Sequence, residues 1–396
     1  MSDLAQKIKS LSENFFEEIK EIRQHLHSNP ELSFEEHNTA AFIEKKLASF
    51  GIQNVERIAT TGVTFCLNGK EKGKTIALRA DIDALPILEE NEVPYKSKSD
   101  GVMHACGHDA HTASLLGAAK ILNETRNEWA GTIKFIFQPA EEKSPGGASI
   151  LIKEGILENP KPEAILGQHV MPLIDAGKVG FRKGKYMASA DEVYLTIKGK
   201  GGHAAMPENF VDPIAIASQI IVSLQQIVSR FANPKMPTVL SFGKISGGTV
   251  TNIIPEKVQV EGTFRTFDEE WRKEALAKIR SISTNIAESM GASCEVRFSQ
   301  GYPFLKNNEA YTDRNVKAAK SYLGADNVEE LDLWMAAEDF ASYSQHVDAC
   351  FYRLGTRNEE KGITSGVHTS TFDIDEISLK NGMGLMAYLA VSELSS

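Results

Sequence analysis

The densest group of potential metal ligands in the sequence is the segment 103–111. It has the sequence Met-His-Ala-Cys-Gly-His-Asp-Ala-His, in which Cys106 stands two residues before His108. Residues two apart do not share a helical face, but on an extended loop with a glycine between them both side chains could face one ion. Thiolate and imidazole ligands suit zinc or another first-row metal better than magnesium or calcium. We therefore predict that Cys106 and His108 bind metal, whereas His104 and His111 could equally be structural.

Other polar side chains follow strand-like apolar runs, at the point where each run ends. Asp81 follows one such run, Glu141 and Glu142 follow a second, and His169 follows a third. In α/β sheets the loops at the carboxyl ends of the strands converge on one crevice, where ligands bind. The sequence therefore predicts that these segments meet at one site, where carboxylate and imidazole groups join Cys106.

Two adjacent carboxylates, Glu141 and Glu142, can divide the work of a hydrolase. Such a pair often lies in a solvated turn, but the preceding run, 132–137, contains Phe-Ile-Phe and is predicted to be buried. Its end would then lie at the crevice. There one carboxylate binds metal, while the other accepts a proton from water and passes it to the leaving amine. A metal lowers the pKa of bound water toward neutrality, so the base needs only modest strength.

The segments that must position these residues alternate between helices and strands along the first part of the chain. Helical spacing of apolar residues predicts helices over 3–27, 34–50, 112–125 and 147–154. Apolar runs predict strands over 63–67, 75–79, 132–137 and 164–167. This alternation predicts an α/β domain with a mixed, largely parallel sheet.

A different order of elements begins near residue 187. A strand at 192–198 is followed by a helix at 212–231, strands at 238–245 and 257–264, a helix at 268–290 and a strand at 293–298. The order β-α-β-β-α-β predicts a ferredoxin-like domain. After residue 302 the α/β pattern returns, with a strand at 350–354 and a helix at 375–394. We therefore predict a discontinuous main domain, 1–186 and 302–396, with a smaller α+β domain, 187–301, inserted into it.

The composition argues against several classes of protein. Lys and Arg number 43 against 53 Asp and Glu, a net charge of −10 with no basic stripe, which argues against a nucleic-acid partner. We find no apolar run of about 18 residues and no apolar signal core in 1–20, so we predict a cytoplasmic protein with no membrane partner. The cysteines are far apart, which predicts no disulfide framework and no thiol-redox role for Cys106. Cys66, Cys294 and Cys350 are expected to be small buried side chains.

Six segments together resemble the M20 metallopeptidase family, in its aminoacylase and amidohydrolase branch. They are Leu-His-Ser-Asn-Pro-Glu-Leu at 26–32, Leu-Arg-Ala-Asp-Ile-Asp-Ala-Leu-Pro at 78–86, the segment 103–111, Phe-Gln-Pro-Ala-Glu-Glu at 137–142, Gly-Gln-His-Val at 167–170 and Gly-Gly-His-Ala-Ala-Met-Pro at 201–207. The segments occur in the family's order over almost the whole chain, so the set is far more specific than any one of them.

The resemblance implies hydrolysis of N-acyl amino acids with two divalent metal ions per subunit. Zinc or manganese is implied first, with cobalt and nickel as alternatives that tolerate the same ligands. The implied ligands are Cys106, His108, Glu142, His169 and His368. Glu141 becomes the general base, and Asp81 becomes a carboxylate that orients the site.

The inserted domain is implied to be a lid that also forms the interface of a homodimer. His203, in its glycine-flanked loop, would stabilise the oxyanion, from its own or the partner subunit. Asn252 and Arg265 are implied to contact the carboxylate of the substrate. Asn252 could equally be a turn residue, and Arg265 a surface ion-pair partner.

Two positions depart from the family's pattern. Many members carry a His two residues before the orienting Asp, but here that position is Arg79, which cannot bind a metal at neutral pH. The proline usual after the last His ligand is also missing, since His368 is followed by Thr-Ser-Thr-Phe.

Two other functions remain open at this point. A dipeptidase or carboxypeptidase could use the same dinuclear centre on a peptide bond. A binding protein could have kept the fold and lost catalysis, although the intact pair of Glu141 and Glu142 disfavours this alternative.

Overall fold

The computed structural model describes residues 3–396 and divides into two compact units. The first unit consists of the chain up to Lys185, Lys306–Leu333 and Asp339–Ser396. The second unit consists of Tyr186–Leu305 and Trp334–Glu338.

The second unit extends beyond the predicted insertion, 187–301. It also contains residues 302–305 and 334–338, which the sequence analysis assigns to the main domain. The segment 334–338 joins the unit through backbone hydrogen bonds, in which Trp334 donates to Tyr186 at 2.9 Å and Ala188 donates to Trp334 at 3.1 Å. A few residues that pair with a distant segment leave no signal in the local hydropathy pattern.

The α-helices of the described residues are α1 (Asp3–Ser28), α2 (His37–Ser49), α3 (His108–Glu124), α4 (Gly147–Lys153), α5 (Pro213–Leu224), α6 (Glu269–Ser289), α7 (Glu309–Leu323), α8 (Ala341–Ser344) and α9 (Ser378–Leu394). Short 3₁₀ helices span Pro207–Asn209 and Ala325–Asn327, and a π-helical turn spans Ile227–Phe231.

The strands of the first half of the chain are β1 (Glu56–Ile58), β2 (Gly62–Asn68), β3 (Thr75–Asp81), β4 (Thr132–Gln138), β5 (Ala164–Asp175), β6 (Val179–Phe181), β7 (Gly184–Met187) and β8 (Asp191–Lys198). Those that follow are β9 (Gly202–His203), β10 (Thr238–Ser246), β11 (Ile253–Ile254), β12 (Lys257–Thr266), β13 (Ser293–Gln300), β14 (Leu305–Asn307), β15 (Val328–Glu330) and β16 (Asp348–Arg357).

An eight-stranded mixed sheet forms the centre of the first unit, in the order β1-β2-β4-β3-β5-β16-β6-β15. Four neighbouring pairs are parallel, namely β4 with β3, β3 with β5, β5 with β16, and β6 with β15, and the other three are antiparallel. The central strands β3, β4 and β16 are buried along almost their whole length, as expected for apolar strands covered on both faces. The predicted largely parallel α/β sheet is therefore confirmed.

The register of the central strands brings the ends of several chain segments to one edge of the sheet. Asp81, the last residue of β3, pairs with Gln138, the last residue of β4. Strand β5 pairs with β3 only as far as Gly167 and then continues beside β16, where His169 pairs with Arg353. The turn after β4, the end of β3 and the part of β5 that no longer pairs with β3 are therefore neighbours.

Two local predictions were wrong. The segment around His108 is not an extended loop, because α3 begins at His108 and Cys106 lies in the turn before it. Gly107 in that turn has a φ of 79°, a left-handed conformation that glycine adopts most easily. His169 lies inside β5 rather than beyond its end, because the strand remains paired with β16 after its pairing with β3 stops.

Helices α1, α3 and α9 contact one another, and α3 and α9 also contact β3 and β5. Small residues allow this close approach. A Cβ atom at Gly117 of α3 would lie 2.7 Å from the Cβ of Met383 in α9, and one at Gly384 of α9 would lie 2.3 Å from the Oγ of Ser12 in α1. Since side chains in a core are already close-packed, these glycines fix the separation of the helices and with it the position of His108.

The second unit has a four-stranded antiparallel sheet in the order β10-β12-β8-β13. With α5 between β8 and β10 and α6 between β12 and β13, it has the predicted ferredoxin-like arrangement. Aspartates begin both helices, because Asp212 accepts from the N–H of Ile214 at 2.8 Å and Asp268 accepts from the N–H of Trp271 at 3.0 Å.

Pro213–Phe231 is the one helical stretch of the described residues that is long and apolar enough to cross a membrane by length and composition. Its inner side, which includes Ile216 and Ile220, belongs to the core of the second unit. Its other side is exposed, with Val222 at 67%. A single stretch of this kind is weak evidence for a membrane span, since a core helix passes the same test.

Gly117→Leu should lower the free energy of unfolding of the first unit by about 3 kcal/mol, because overpacking a filled core forces side chains or backbone to shift. Urea unfolding followed by far-UV circular dichroism measures this change. Gly243→Leu is the control, because a Cβ there meets nothing within 4 Å. Equal effects of the two substitutions would contradict the proposed close packing.

Candidate metal centre

Five chain segments of the first unit deliver side chains to the carboxyl edge of the sheet. Strand β3 contributes Asp81, the turn before α3 and its first residue contribute Cys106 and His108, the turn after β4 contributes Glu141 and Glu142, β5 contributes His169, and the loop between β16 and α9 contributes His368.

Cys106 lies at the centre of this group. Its Sγ atom is 3.3 Å from the Nε2 of His169 and 3.3 Å from the Nε2 of His368. Two sets of three potential ligand atoms result, one from Cys106, His108 and His169 and the other from Cys106, Glu142 and His368, with the atoms of each set within 4.8 Å of one another. The structure thus brings together all five side chains that the sequence analysis selects as ligands, around one shared sulfur.

The imidazoles are held so that Nε2 faces the group. The Nδ1 of His108 lies 3.2 Å from the carboxylate of Asp83, and the Nδ1 of His169 lies 2.7 Å from the carbonyl of Val170. Each Nδ1 therefore carries the proton that it donates, so Nε2 is the nitrogen that a metal would bind in the neutral imidazole. Nε2 of His108 is buried and has no hydrogen-bond partner among the described residues.

His368 and Glu142 approach each other closely, with 3.1 Å between Nε2 and Oε1. This contact lacks the geometry of a hydrogen bond, because the buried Oε1 of Glu142 has no hydrogen-bond partner among the described residues. Two ligands of one cation show this kind of approach. His368 has a φ of 62°, and its backbone N–H donates to the carbonyl of Ala105 at 2.7 Å. The loop that lacks the usual proline is therefore tied directly to the Cys106 segment.

The charges of the group fit divalent cations. Burial, together with the carboxylates of Glu142 and Glu141, raises the pKa of the Cys106 thiol well above its ordinary value. Although burial opposes it, the carboxylates of Asp81 and Asp83 raise the pKa of His108 to about 10. Burial lowers the pKa of His169 well below its ordinary value, which keeps this imidazole neutral. The group therefore has more carboxylates than its own positive charges can compensate. Its sulfur, imidazole and carboxylate atoms are the ligands that zinc-like metals prefer.

His111 is excluded as a ligand in this arrangement because both ring nitrogens are occupied. Its Nδ1 lies 2.6 Å from Oδ1 of Asp81, and its Nε2 accepts the backbone N–H of Val170 at 2.8 Å. Burial lowers the pKa of this imidazole. His111 therefore holds Asp81 in place and connects it to β5, one residue beyond His169.

A second buried network surrounds Asp109, the residue after His108. Its Oδ2 accepts from the Nε of Arg23 at 2.7 Å and lies 2.7 Å from the Nδ1 of His27. Arg23 also donates to Asp373 at 2.8 Å, five residues after His368. The guanidinium of Arg23 thus connects α1 to the segments that carry His108 and His368.

His104 does not belong to either set of ligand atoms. Its ring is buried, and neither nitrogen has a hydrogen-bond partner among the described residues. Burial lowers its pKa to about 4, so the imidazole is neutral at physiological pH.

The remaining candidate residues lie in the second unit. His203 is exposed on a two-stranded ribbon formed by β9 and β11, where it pairs with Ile253, and the backbone carbonyl of Asn252 accepts from the N–H of Ala204 at 3.1 Å. Arg265 lies on β12, and its Nη1 donates to the carbonyl of Met335 at 3.2 Å. The structure places His203 and Asn252 on the same ribbon and Arg265 on the four-stranded sheet.

The sequence analysis missed Asp83 as the partner of His108. A signal was present in Asp81-Ile-Asp83, since alternate residues of an extended segment project to one face. The analysis also missed Asp339, which has no such signal because it meets the site only through tertiary contacts with residues far away in sequence.

Comparisons with known proteins identify the family of this chain. Residues 77–392 match Peptidase family M20/M25/M40. The N-acetyl-L-cysteine deacetylase of Bacillus subtilis is 44% identical over 359 residues, which cover 90% of this chain and 84% of that protein. The N-acyl-L-amino acid amidohydrolase of Geobacillus stearothermophilus is 44% identical over 305 residues, 77% of this chain and 82% of that protein. Thermostable carboxypeptidase 2 of Saccharolobus solfataricus is 39% identical over 392 residues, 98% of each chain.

One solved structure shares the fold of this chain, and its description names a dinuclear metal site. The YXEP protein of Bacillus subtilis, described as a dinuclear metal-binding peptidase from the M20 family, superposes with a TM-score of 0.83. It is 36% identical in sequence, and the alignment covers 97% of this chain and 99% of that one. The family match over most of the chain and the identity to these relatives lead to one conclusion. The chain belongs to peptidase family M20/M25/M40.

Proposed function

We propose that this protein is a metal-dependent amidohydrolase that removes the acyl group from N-acyl amino acids. The observation that carries the proposal is the pair of ligand sets that share Cys106, with the buried carboxylate of Glu141 beside them. The names of the deacetylase and amidohydrolase relatives support the same reaction class.

In this proposal two divalent cations are held by the five ligands, with Cys106 common to both sets. His108 and His169 would hold one cation, and Glu142 and His368 would hold the other. The cations, when bound, polarise the amide carbonyl and lower the pKa of water. We propose zinc or manganese, because a thiolate, imidazoles and a carboxylate form a borderline ligand set, and cobalt or nickel would also fit.

Glu141 is the proposed general base. It accepts a proton from the attacking water and returns it to the nitrogen of the leaving amino acid. Asp81, held by Arg79 and His111, lies 3.7 Å from Nε2 of His108 and would orient the site. His203, from its own or the partner subunit, would donate to the carbonyl oxygen as negative charge develops there.

Asn252 and Arg265 are proposed to bind the carboxylate of the amino-acid part of the substrate. Burial lowers the pKa of Arg265, yet the guanidinium remains charged at physiological pH and can pair with an anion.

The second candidate function is that of a carboxypeptidase or dipeptidase, which the name of the Saccharolobus solfataricus relative favours. It would use the same residues on a peptide bond.

A homodimer formed through the second unit is part of the proposal. Strand β10 is an edge of its sheet, and the outer face of α5 exposes Val222 at 67%. An unpaired strand edge and an exposed apolar helix face are each typical surfaces for association. We also propose a cytoplasmic location, which the four unpaired cysteines of the described residues fit.

Protein reconstituted with metal should release free amino acid from acetylated or benzoylated amino acids faster than it cleaves dipeptides. A panel of both substrate types, with amine release as the readout, measures this preference. Faster cleavage of dipeptides would favour the second candidate function, and no turnover on either class of substrate would contradict both candidate functions.

In Glu141→Gln, which keeps the size of the side chain, we expect bound metal to remain and turnover to fall by about 10²–10⁴-fold.

Cys106→Ala should lower the bound metal per subunit, because the residue belongs to both ligand sets. Elemental analysis after dialysis against a defined metal concentration measures the stoichiometry. Cys66→Ala is the matched control, since Cys66 lies in β2 and is outside both sets. A metal content equal to that of the unmodified protein would remove Cys106 from the centre.

Val222→Glu should shift the protein from two copies of the 43.5 kDa chain to one, because it places a charge on the exposed face of α5. Light scattering coupled to size exclusion measures the mass. Leu173→Glu is the control, since Leu173 is an exposed apolar residue of the first unit, at 79% against 67% for Val222. A monomeric mass for the unmodified protein would contradict the proposed homodimer.

A further inference from the structure

A backbone hydrogen bond joins Asp339 to the carboxylate of Glu141. The N–H of Asp339 donates to Oε1 of Glu141 at 3.3 Å. Both residues lie in the first unit, and both are buried, with exposures of 0% and 7%. A fixed donor on one carboxylate oxygen restricts the rotamers of the side chain and so sets the direction of the other oxygen.

The peptide that carries this N–H is itself held by the side chain of Asp339. Its Oδ1 accepts from Nη2 of Arg79 at 2.7 Å and from Nε2 of Gln138 at 2.8 Å. Its Oδ2 accepts from Nε2 of Gln138 at 2.7 Å and from the backbone N–H of Ala148 at 2.9 Å. The donors come from β3, β4 and the start of α4, and bonds to an ionised carboxylate are about twice as strong as neutral ones.

Arg79 stands two residues before Asp81 and cannot bind a metal at neutral pH. Its guanidinium is fully buried and donates in three directions, to Gln138 at 2.9 Å, to Asp81 at 2.7 Å and to Asp339 at 2.7 Å. The guanidinium of Arg79 therefore holds two carboxylates. One is that of Asp81, near His108, and the other is that of Asp339, whose backbone N–H donates to Glu141. This network gives Arg79 a role beside the site, although Arg79 itself cannot bind metal.

We infer that Asp339 is a positioning residue for Glu141, with Arg79 and Gln138 as its supports. The inference rests on the proposed function, in which Glu141 both accepts and returns a proton. A base that performs two proton transfers at different atoms needs the oxygen that carries the proton held in one place. Asp339 does not touch substrate in this account and acts only through Glu141.

Asp339→Asn is the decisive substitution because it keeps the shape and removes one acceptor. Both carboxylate oxygens accept two hydrogen bonds, so the amide nitrogen must face donors in either orientation. The side chain then shifts, and the N–H at Glu141 shifts with it. We expect kcat to fall about 10–100-fold, the usual range for partners one step removed from a metal site, with KM and metal content unchanged.

Glu393→Gln is the matched control. Glu393 lies in α9 of the same unit, is 6% exposed and accepts two hydrogen bonds from Arg314, both at 2.8 Å. Its substitution removes an ion pair from a site that has no part in the proposed mechanism. We expect an unchanged kcat only in Glu393→Gln. Equal kcat values in the two variants would overturn the inference.

A double substitution separates this inference from the function on which it rests. In a Glu141→Gln background, Asp339→Asn should cause little further loss of kcat, because residues that act as a unit are not additive. A full additional loss would show that Asp339 acts elsewhere and overturn the inference. If Glu141→Gln alone keeps its turnover, the proposed base itself is wrong. If Glu141→Gln is inactive but Asp339→Asn is normal, only the positioning role fails.

Gln138→Met provides a second variant if Asp339→Asn does not fold, as judged by circular dichroism. It removes the two hydrogen bonds from Gln138 to Asp339 and the acceptor of Nε of Arg79, but leaves the bond from Nη2 of Arg79 to Asp339. We expect a smaller fall in kcat, with metal content retained. A normal kcat in this variant would overturn the inference.

Discussion

Compensation of buried negative charge is the constraint on which the first unit depends. Asp81, Asp109 and Asp339 are almost completely withdrawn from solvent, and an isolated carboxylate in such surroundings costs several kcal/mol. Two fully buried arginines, Arg23 and Arg79, compensate these three aspartates. Each arginine pairs with carboxylates from segments far apart in sequence, so neutralising the charge also fixes the relative positions of those segments.

The group around Cys106 has too little positive charge of its own. Its thiol keeps its proton because burial and the neighbouring glutamates raise its pKa, and His108 is driven toward its charged form by two carboxylates. Divalent cations would supply the missing charge and reverse both tendencies, because they favour the thiolate and the neutral imidazole.

Sequence patterns were most informative where a local period or a motif specified the structure. Helix α6 and strands β3 and β4 were predicted nearly to their ends, because apolar residues recur there at the spacing of one face or one buried strand. The same patterns failed at His108, where a left-handed glycine begins a helix without a capping side chain, and at His169, where a strand continues past the end of one neighbour. Neither feature changes the local hydropathy.

The sequence by itself determined which side chains could bind metal and which elements carry them, because residue types and periodic burial are local properties. Only the tertiary structure decided how the site is assembled. It shows that Cys106 is common to two ligand sets, that Asp83 rather than Asp81 contacts Nδ1 of His108, and that His111 is a support rather than a ligand. It also brings Asp339 to Glu141 across 198 positions of sequence. These contacts depend on strand register and helix packing, which bring distant segments together and leave no local pattern in the chain.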